Sequence, residues 1–186
     1  MAVQVSFMFG NPRARGMGTV VPAEYLIAVV DLAAYRTFVA PDWTLDAIRE
    51  HFAAEIARGT MLAWGTGASG NWRVEVIRDR AGGGFRECAG RVRATTGQLH
   101  LTSYDELTVA AQFRDVRLPR AGTEAWAVAV EPGWYDCRVV QLYDPGLAES
   151  EVVFHQETPH FRLELVATGG KGRRSRVAGV PWFPTA

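Results

Sequence analysis

Two histidines and a glutamate in the last third of the chain are the residue types of a hydrolytic metal site. His155 and His160 flank the segment 156–159, which contains Glu157 and Pro159. Because Pro159 favours a turn between two strands, the two imidazoles and the carboxylate could converge. Three such ligands with one open position suit a catalytic zinc. The spacing matches no recognised zinc pattern, so a small metal-dependent hydrolase is one alternative among several.

Other motifs each lack a part that their chemistry requires. Residues 65–70 match G-x-G-x-x-G, but NWRVEVI follows and predicts a strand where a dinucleotide site needs a helix, so we expect a hairpin loop. His51 and Glu55 lie four residues apart on a predicted helix without the second histidine of a metal motif. Segment 100–106, HLTSYDE, contains a serine but not the G-x-S-x-G surroundings of a nucleophile. The basic loop 171–176 lacks the interleaved aromatic residues that stack on single-stranded nucleic acid. Because each of these motifs is incomplete, we predict no catalytic set, no cofactor and no direct nucleic-acid binding.

One segment predicts an amphipathic helix near residues 44–58. Its apolar stripe, at three- and four-residue spacing, consists of Leu45, Ile48, Phe52 and Ile56. Thr44 can accept hydrogen bonds from the free N–H groups of the first turn, and Gly59 is a suitable C-terminal stop. We expect this helix to cover an open end or face of a sheet.

The rest of the chain has the pattern of strands separated by turns. Residues 71–78, 134–140 and 161–165 alternate apolar and polar side chains, which is typical of half-buried antiparallel strands. Further strands are predicted at 3–9, 25–30, 35–39, 60–64, 85–94, 98–103, 109–117, 123–131, 151–155 and 176–183. The predicted fold is mainly β: one domain, residues 1–186, forming an antiparallel β-sandwich or distorted barrel with one capping helix.

Composition and charge argue against several classes of function. Twenty basic and twenty acidic residues give a formal net charge of zero, which argues against nonspecific nucleic-acid binding. The N-terminus lacks the pattern of a signal peptide, and no stretch reaches the roughly 18 apolar residues that span a bilayer. Cys88 and Cys137 are too few for a disulfide framework and fit a reducing compartment. We expect a cytoplasmic protein with no membrane contact.

The segment YRTFVAPDWTLDAIREHFAAEIARGTMLAWGTGASGNWRVEV resembles the early part of the competence protein J family. The family pattern has a strand ending in an aromatic pair, a Trp-Thr helix start, an Ala-rich helix and a hairpin. The matching positions are Tyr35, Phe38, Trp43, Thr44, Ala47, Ile48, Phe52 and Ala53.

A second segment, GRVRATTGQLHLTSYDELTVAAQFRDVRLPRAG, is similar to the later strands of the same family. The matching positions are Gly97, Leu99, Ser103, Phe113, Leu118, Pro119 and Gly122. None of the matching residues is catalytic. The resemblance covers about half of the chain and implies the fold and the binding role of a family known for an inhibitor of a DNA-entry nuclease.

These observations favour a non-enzymatic, protein-binding domain that resembles a nuclease inhibitor or immunity-type protein. Such proteins usually block a basic nucleic-acid groove with acidic groups, so a nuclease or toxin is the expected partner. The candidate contact residues are Asp144, Glu149 and Glu151 of an acidic loop, Glu50 and Glu55 on the expected outer face of the helix, and Trp43. The alternatives are the hydrolase using His155, Glu157 and His160, and a β-sandwich module that binds a small ligand or assembles with itself.

Overall fold

The computed structural model describes residues 5–9, 26–67, 71–122, 126–144, 159–169 and 179–183. Across these ranges the chain forms nine strands and two helices. The strands are β1 (Val5–Phe9), β2 (Leu26–Val30), β3 (Met61–Gly65), β4 (Trp72–Ile77), β5 (Arg86–Ala94), β6 (Gln98–Ser103), β7 (Ala127–Ala129), β8 (Gly133–Gln141) and β9 (Phe161–Thr168). The helices are α1 (Leu45–Arg58) and α2 (Tyr104–Gln112), and neither is long and apolar enough to cross a membrane.

The strands form two sheets that pack face to face. The large sheet has the order β1-β4-β9-β8-β5, and the small sheet has the order β3-β2-β6-β7. Every strand pair is antiparallel except β4 with β9. The prediction of a mainly β sandwich is therefore confirmed, with one parallel pair between strands far apart in sequence.

Apolar side chains from both sheets fill the space between them. Along β4, Trp72, Val74 and Val76 are buried while Arg73 and Glu75 are only partly buried, which confirms the predicted alternation. The same core contains Leu62 and Trp64 of β3 and Tyr135, Cys137, Val139, Phe161, Leu163 and Leu165 of β8 and β9. Burying these residues removes a large apolar area from water, and this drives the two sheets together.

The small sheet is buried on both faces. Every residue of β2 and β3 is buried, so these strands have continuous apolar sequences, LIAVV and MLAWG, and do not alternate. Their second face packs against a further core to which the two helices contribute Ile48, Phe52, Ile56, Tyr104, Leu107 and Ala111. Helix α1 thus covers a face of the small sheet, and a face of a sheet was one of the two positions predicted for it.

Helix α1 begins and ends as its sequence predicts. The Thr44 hydroxyl accepts a hydrogen bond from the backbone N–H of Ala47 at 3.2 Å. At the other end Gly59 adopts φ 74°, and its N–H donates to the carbonyls of Glu55 and Ile56. Only glycine reaches that left-handed conformation without steric cost, so the chain turns directly into β3.

The expectation of a single helix is wrong, as is the strand predicted at 109–117. Residues 104–112 form α2, because the Ser103 hydroxyl caps the helix and accepts from the N–H of Glu106 at 3.4 Å. Asp105 and Glu106 in its first turn also favour the positive end of the helix dipole.

Three further predictions about strands and turns need correction. Residues 35–39 form no strand, and the N–H groups of Val39 and Ala40 instead donate to the carbonyl of Ala111 at 2.8 and 3.2 Å. Strands β3 and β4 do not pair as the hairpin predicted around residues 65–70, because they belong to different sheets. Of the strand predicted at 176–183, the described residues 179–183 form a turn, and the strand predicted at 151–155 lies outside the described residues.

Candidate functional site

The start of α1 and the turn before it carry an acidic surface. Asp42, Asp46 and Glu50 are all exposed, and their spacing of four residues places Asp46 and Glu50 on the same side of the helix. Arg49 lies 3.4 Å from Asp46 and compensates part of this charge. Leu45 is 40% exposed beside them. We call Asp42, Asp46 and Glu50 the acidic helix surface; Glu50 was among the predicted contact residues, and the other two were missed although their spacing was visible in the sequence.

The expectation that Glu55 lies on the exposed face of the helix is wrong. Its side chain is fully buried, forms an ion pair with Arg58 and accepts a hydrogen bond from the hydroxyl of Thr60. Glu55 therefore ties the end of α1 to the start of β3, and no partner can reach it. Trp43 is partly buried against the core beneath the helices, so most of its ring packs within the fold.

The predicted acidic loop is described only at its start. Asp144, three residues after the end of β8, is partly buried, whereas Glu149 and Glu151 lie outside the described residues. Whether these two glutamates extend the acidic helix surface stays a prediction.

The structure describes only one of the three predicted metal ligands. His155 and Glu157 lie outside the described residues. His160 is 6% exposed, and its Nδ1 accepts the backbone N–H of Arg73 at 2.9 Å. That nitrogen is engaged in holding β4 against the residue before β9 and is not free to bind a metal. Within the described residues, no three His, Cys, Asp or Glu side chains are grouped to hold a metal ion.

The remaining sequence motifs have structural roles where the structure describes them. Glu106 of the HLTSYDE segment lies 3.3 Å from Arg120, and Ser103 is the cap of α2. The Nε2 atom of His51 lies 3.3 Å from the Tyr35 hydroxyl. Burial raises the pKa of Tyr35 and lowers that of His51, so both groups are held uncharged at neutral pH. The basic loop 171–176 falls outside the described residues.

The two cysteines lie on neighbouring strands but do not meet as a disulfide. Cys88 is in register with Val139, and Cys137 is in register with Gly90. This diagonal arrangement separates their Cα atoms by about 7–8 Å, beyond the span of an unstrained disulfide. Both are free thiols, and burial raises the pKa of each to about 12. They act as apolar residues of the core and not as nucleophiles.

Comparison with known proteins identifies the fold. No protein-family profile and no curated protein matches the sequence. Two solved structures share its fold. The protein described as crocagin biosynthetic gene J aligns over 90% of this chain and 98% of its own, with a TM-score of 0.54 and 13% identity. ComJ from Bacillus subtilis, inhibitor of the DNA-degrading activity of NucA, aligns over 90% of this chain and 99% of its own, with a TM-score of 0.50 and 9% identity.

The chain has the fold of ComJ. The resemblance to the competence protein J family is thus confirmed at the level of structure, and over far more of the chain than the two segments that suggested it. At these identities the likeness concerns the fold alone, so no residue role passes from ComJ to this chain.

Proposed function

We propose that this chain is a non-enzymatic protein that binds and inhibits a nuclease, or a toxin with nuclease activity. The observation that carries the proposal is the shared fold: nearly the whole of ComJ, a nuclease inhibitor, aligns with nine-tenths of this chain. The likeness that supports the proposal therefore extends over nearly the whole fold of that inhibitor and not only over two segments.

The acidic helix surface supplies the chemistry of recognition. A nuclease must present basic groups to its polyanionic substrate, and an inhibitor can occupy that groove with carboxylates of its own. Asp46 and Glu50 are exposed on a helix whose buried face packs against the small sheet, and Asp42 is exposed just before that helix. Fixed carboxylates attract a basic groove without first losing much conformational freedom. Asp144, Glu149 and Glu151 would extend the surface if their loop lies beside it.

The proposal is tested first by capture and inhibition. The tagged chain is incubated with lysate of its native host at low and at high salt, and bound proteins are identified by mass spectrometry. The captured nuclease is then assayed for DNA degradation with increasing amounts of the chain. We expect a stoichiometric complex that high salt weakens, and loss of activity near equimolar ratio. A captured nuclease that keeps full activity at saturation would contradict the inhibitor role.

The acidic helix surface is tested separately by charge reversal. The double variant Asp42→Arg/Glu50→Arg leaves Asp46 to favour the helix dipole, and we expect it to associate about tenfold more slowly at low salt, with a weaker salt dependence. Asp79→Arg reverses one charge at a remote position and is the control, since Asp79 is exposed beyond the end of β4 in the other sheet. If the double variant and the control associate at the same rate, this surface is not the contact.

A further inference from the structure

One end of the space between the sheets contains polar side chains in an otherwise apolar core. Arg86, Gln141, Phe161 and Val74 lie directly across from one another on β5, β8, β9 and β4. Arg86 shares the inner face of β5 with Cys88, and its Nε donates to Gln141 Oε1 at 2.6 Å.

Aromatic rings surround this row. Trp64 of the small sheet and Trp72 of the large sheet pack on Phe161, with ring centroids 6.1 and 5.6 Å from it. Tyr143 stacks on Trp72 at 5.2 Å, and Trp182 lies under the Arg86 guanidinium at 4.4 Å. We call Arg86, Gln141, Trp64, Trp72 and Tyr143 the end layer.

Among the described residues, several N–H donors of the end layer have no acceptor. They are Arg86 Nη2, Gln141 Nε2, Trp64 Nε1 and Trp72 Nε1, all buried. Gln141 and Trp64 are 0% exposed, and Trp72 is 2% exposed. A buried donor without an acceptor is costly, and folded proteins carry few of them. Four in one small region are unusual, and the acceptor atoms of a bound molecule would satisfy them.

The positive charge of Arg86 also favours a ligand that supplies acceptor atoms. Among the described residues Arg86 forms no ion pair with a carboxylate, and burial lowers the pKa of its guanidinium. A partly desolvated cation beside several N–H donors favours an anion with more than one acceptor oxygen. The neighbouring Tyr143 hydroxyl is already engaged, since it donates to the carbonyl of Thr66.

We propose that the end layer binds a carboxylate group attached to a small apolar body. The carboxylate oxygens accept hydrogen bonds from Arg86 and Gln141, and the apolar body packs on the tryptophan rings. This site lies between the two sheets, whereas the acidic helix surface lies on the outer side of the small sheet, so the inference does not depend on the inhibitor role. The carboxylate comes either from a free organic acid or from a glutamate side chain of a partner protein.

Nuclear magnetic resonance of the indole N–H groups tests the proposal on the intact protein. The ¹⁵N-labelled chain is titrated with benzoate, acetate and a glutamate blocked at both backbone ends, and with benzamide and sodium chloride as controls. Trp64 and Trp72 signals are assigned with single Trp→Phe variants. We expect saturable shifts of both signals with a carboxylate and none with benzamide. Saturation by benzoate indicates a free acid, and saturation by the blocked glutamate alone indicates a partner's side chain.

Paired variants decide whether Arg86 holds the anion. We expect Arg86→Gln to weaken carboxylate binding about tenfold or more, while Arg93→Gln, at an exposed position of the same strand, leaves it unchanged. Circular dichroism and the thermal midpoint of both variants, measured with and without benzoate, show whether each is folded. No saturable shift with any carboxylate, equal shifts with benzamide, or equal affinity in folded Arg86→Gln would overturn the proposal.

Discussion

The buried carboxylate of Glu164 is the centre of a network of arginine side chains on the large sheet. It lies on the outer face of the large sheet with a side chain that is 0% exposed. Arg138, Arg162 and Arg80 lie 2.8, 3.2 and 3.4 Å from its oxygens, and the N–H of Ala81 donates to it at 3.1 Å. Residues 78–85 connect β4 to β5, which lie on opposite sides of β9 and β8 in the large sheet. Glu164 therefore holds the 78–85 connection against the outer face of the large sheet.

We expect Glu164→Gln to lower the free energy of unfolding by about 2 kcal/mol. The value is below the roughly 3–5 kcal/mol typical of a broken buried pair, because the arginines are partly solvated. Burial alone would raise the pKa of Glu164, but hydrogen bonds from Arg138, Ala81 and Arg162 outweigh it and lower the pKa. The stabilisation is therefore complete above about pH 4.3, the unfolded value, and is lost as the pH falls through the lower folded value.

Denaturant unfolding between about pH 3 and 7 checks this prediction. The wild type should lose stability below about pH 4.3 more steeply than Glu164→Gln. Glu87→Gln is the control, because Glu87 pairs with Arg138 from a side chain that is 39% exposed. We expect this exposed pair to contribute less than about 1 kcal/mol. Equal destabilisation by the two variants would show that Glu164 is not the centre of the network.

At the scale of the elements, the junction between α1 and β3 is the most sterically constrained. Gly59 has a left-handed φ, and a Cβ there would collide with the Trp134 ring, with its Cη2 atom 2.9 Å away. We expect Gly59→Ala to cost more than about 1 kcal/mol, because backbone strain and the collision add. Gly82→Ala is the comparison, since a Cβ at Gly82 meets nothing within 4 Å. Thermal unfolding of the two variants should differ by several degrees, and equal midpoints would contradict the prediction.

Elements with local signals were predictable, and those that depend on distant partners were not. The N-cap, the apolar stripe and the C-terminal glycine of helix α1 are all recognisable in the sequence. Helix α2 also carried a signal, because Ser103 followed by Glu106 is a capping box before the apolar run LTVAA, but β-branched residues favoured a strand. The parallel pairing of β4 with β9 joins residues such as Val74 and Phe161, and no local pattern encodes it.

Within the candidate site, the exposure or burial of residues on helix α1 could be predicted from the local sequence pattern. Glu50 faces away from Ile48 and Phe52, so its exposure follows from the apolar stripe. Glu55 lies seven residues after Ile48, which is on the buried face, and the helical period indicates its burial. The end layer could not be inferred, because Arg86, Gln141 and Trp64 come together only when two sheets pack.

On the scale of the whole molecule, the described chain is a stack of three layers: helices, small sheet and large sheet. The two proposed functional regions lie at different levels of this stack. The acidic helix surface belongs to the outer layer, and the end layer belongs to the space between the sheets. A variant that abolishes one function should therefore leave the other intact, because separate regions without shared contacts act nearly independently.

The layered architecture also predicts which part of the molecule opens last. Strand β2 pairs with β3 on one side and β6 on the other, and its side chains contact both cores. Exposing its amides requires the helices and the large sheet to separate from the small sheet together, which amounts to global unfolding. Strand β7 is at an edge of the small sheet, has three residues and pairs only with β6 among the described strands. We expect hydrogen exchange at Ala28 and Val29 to match the global free energy of unfolding, and exchange along β7 to be faster by orders of magnitude. Similar rates in the two strands would mean that the layers open separately.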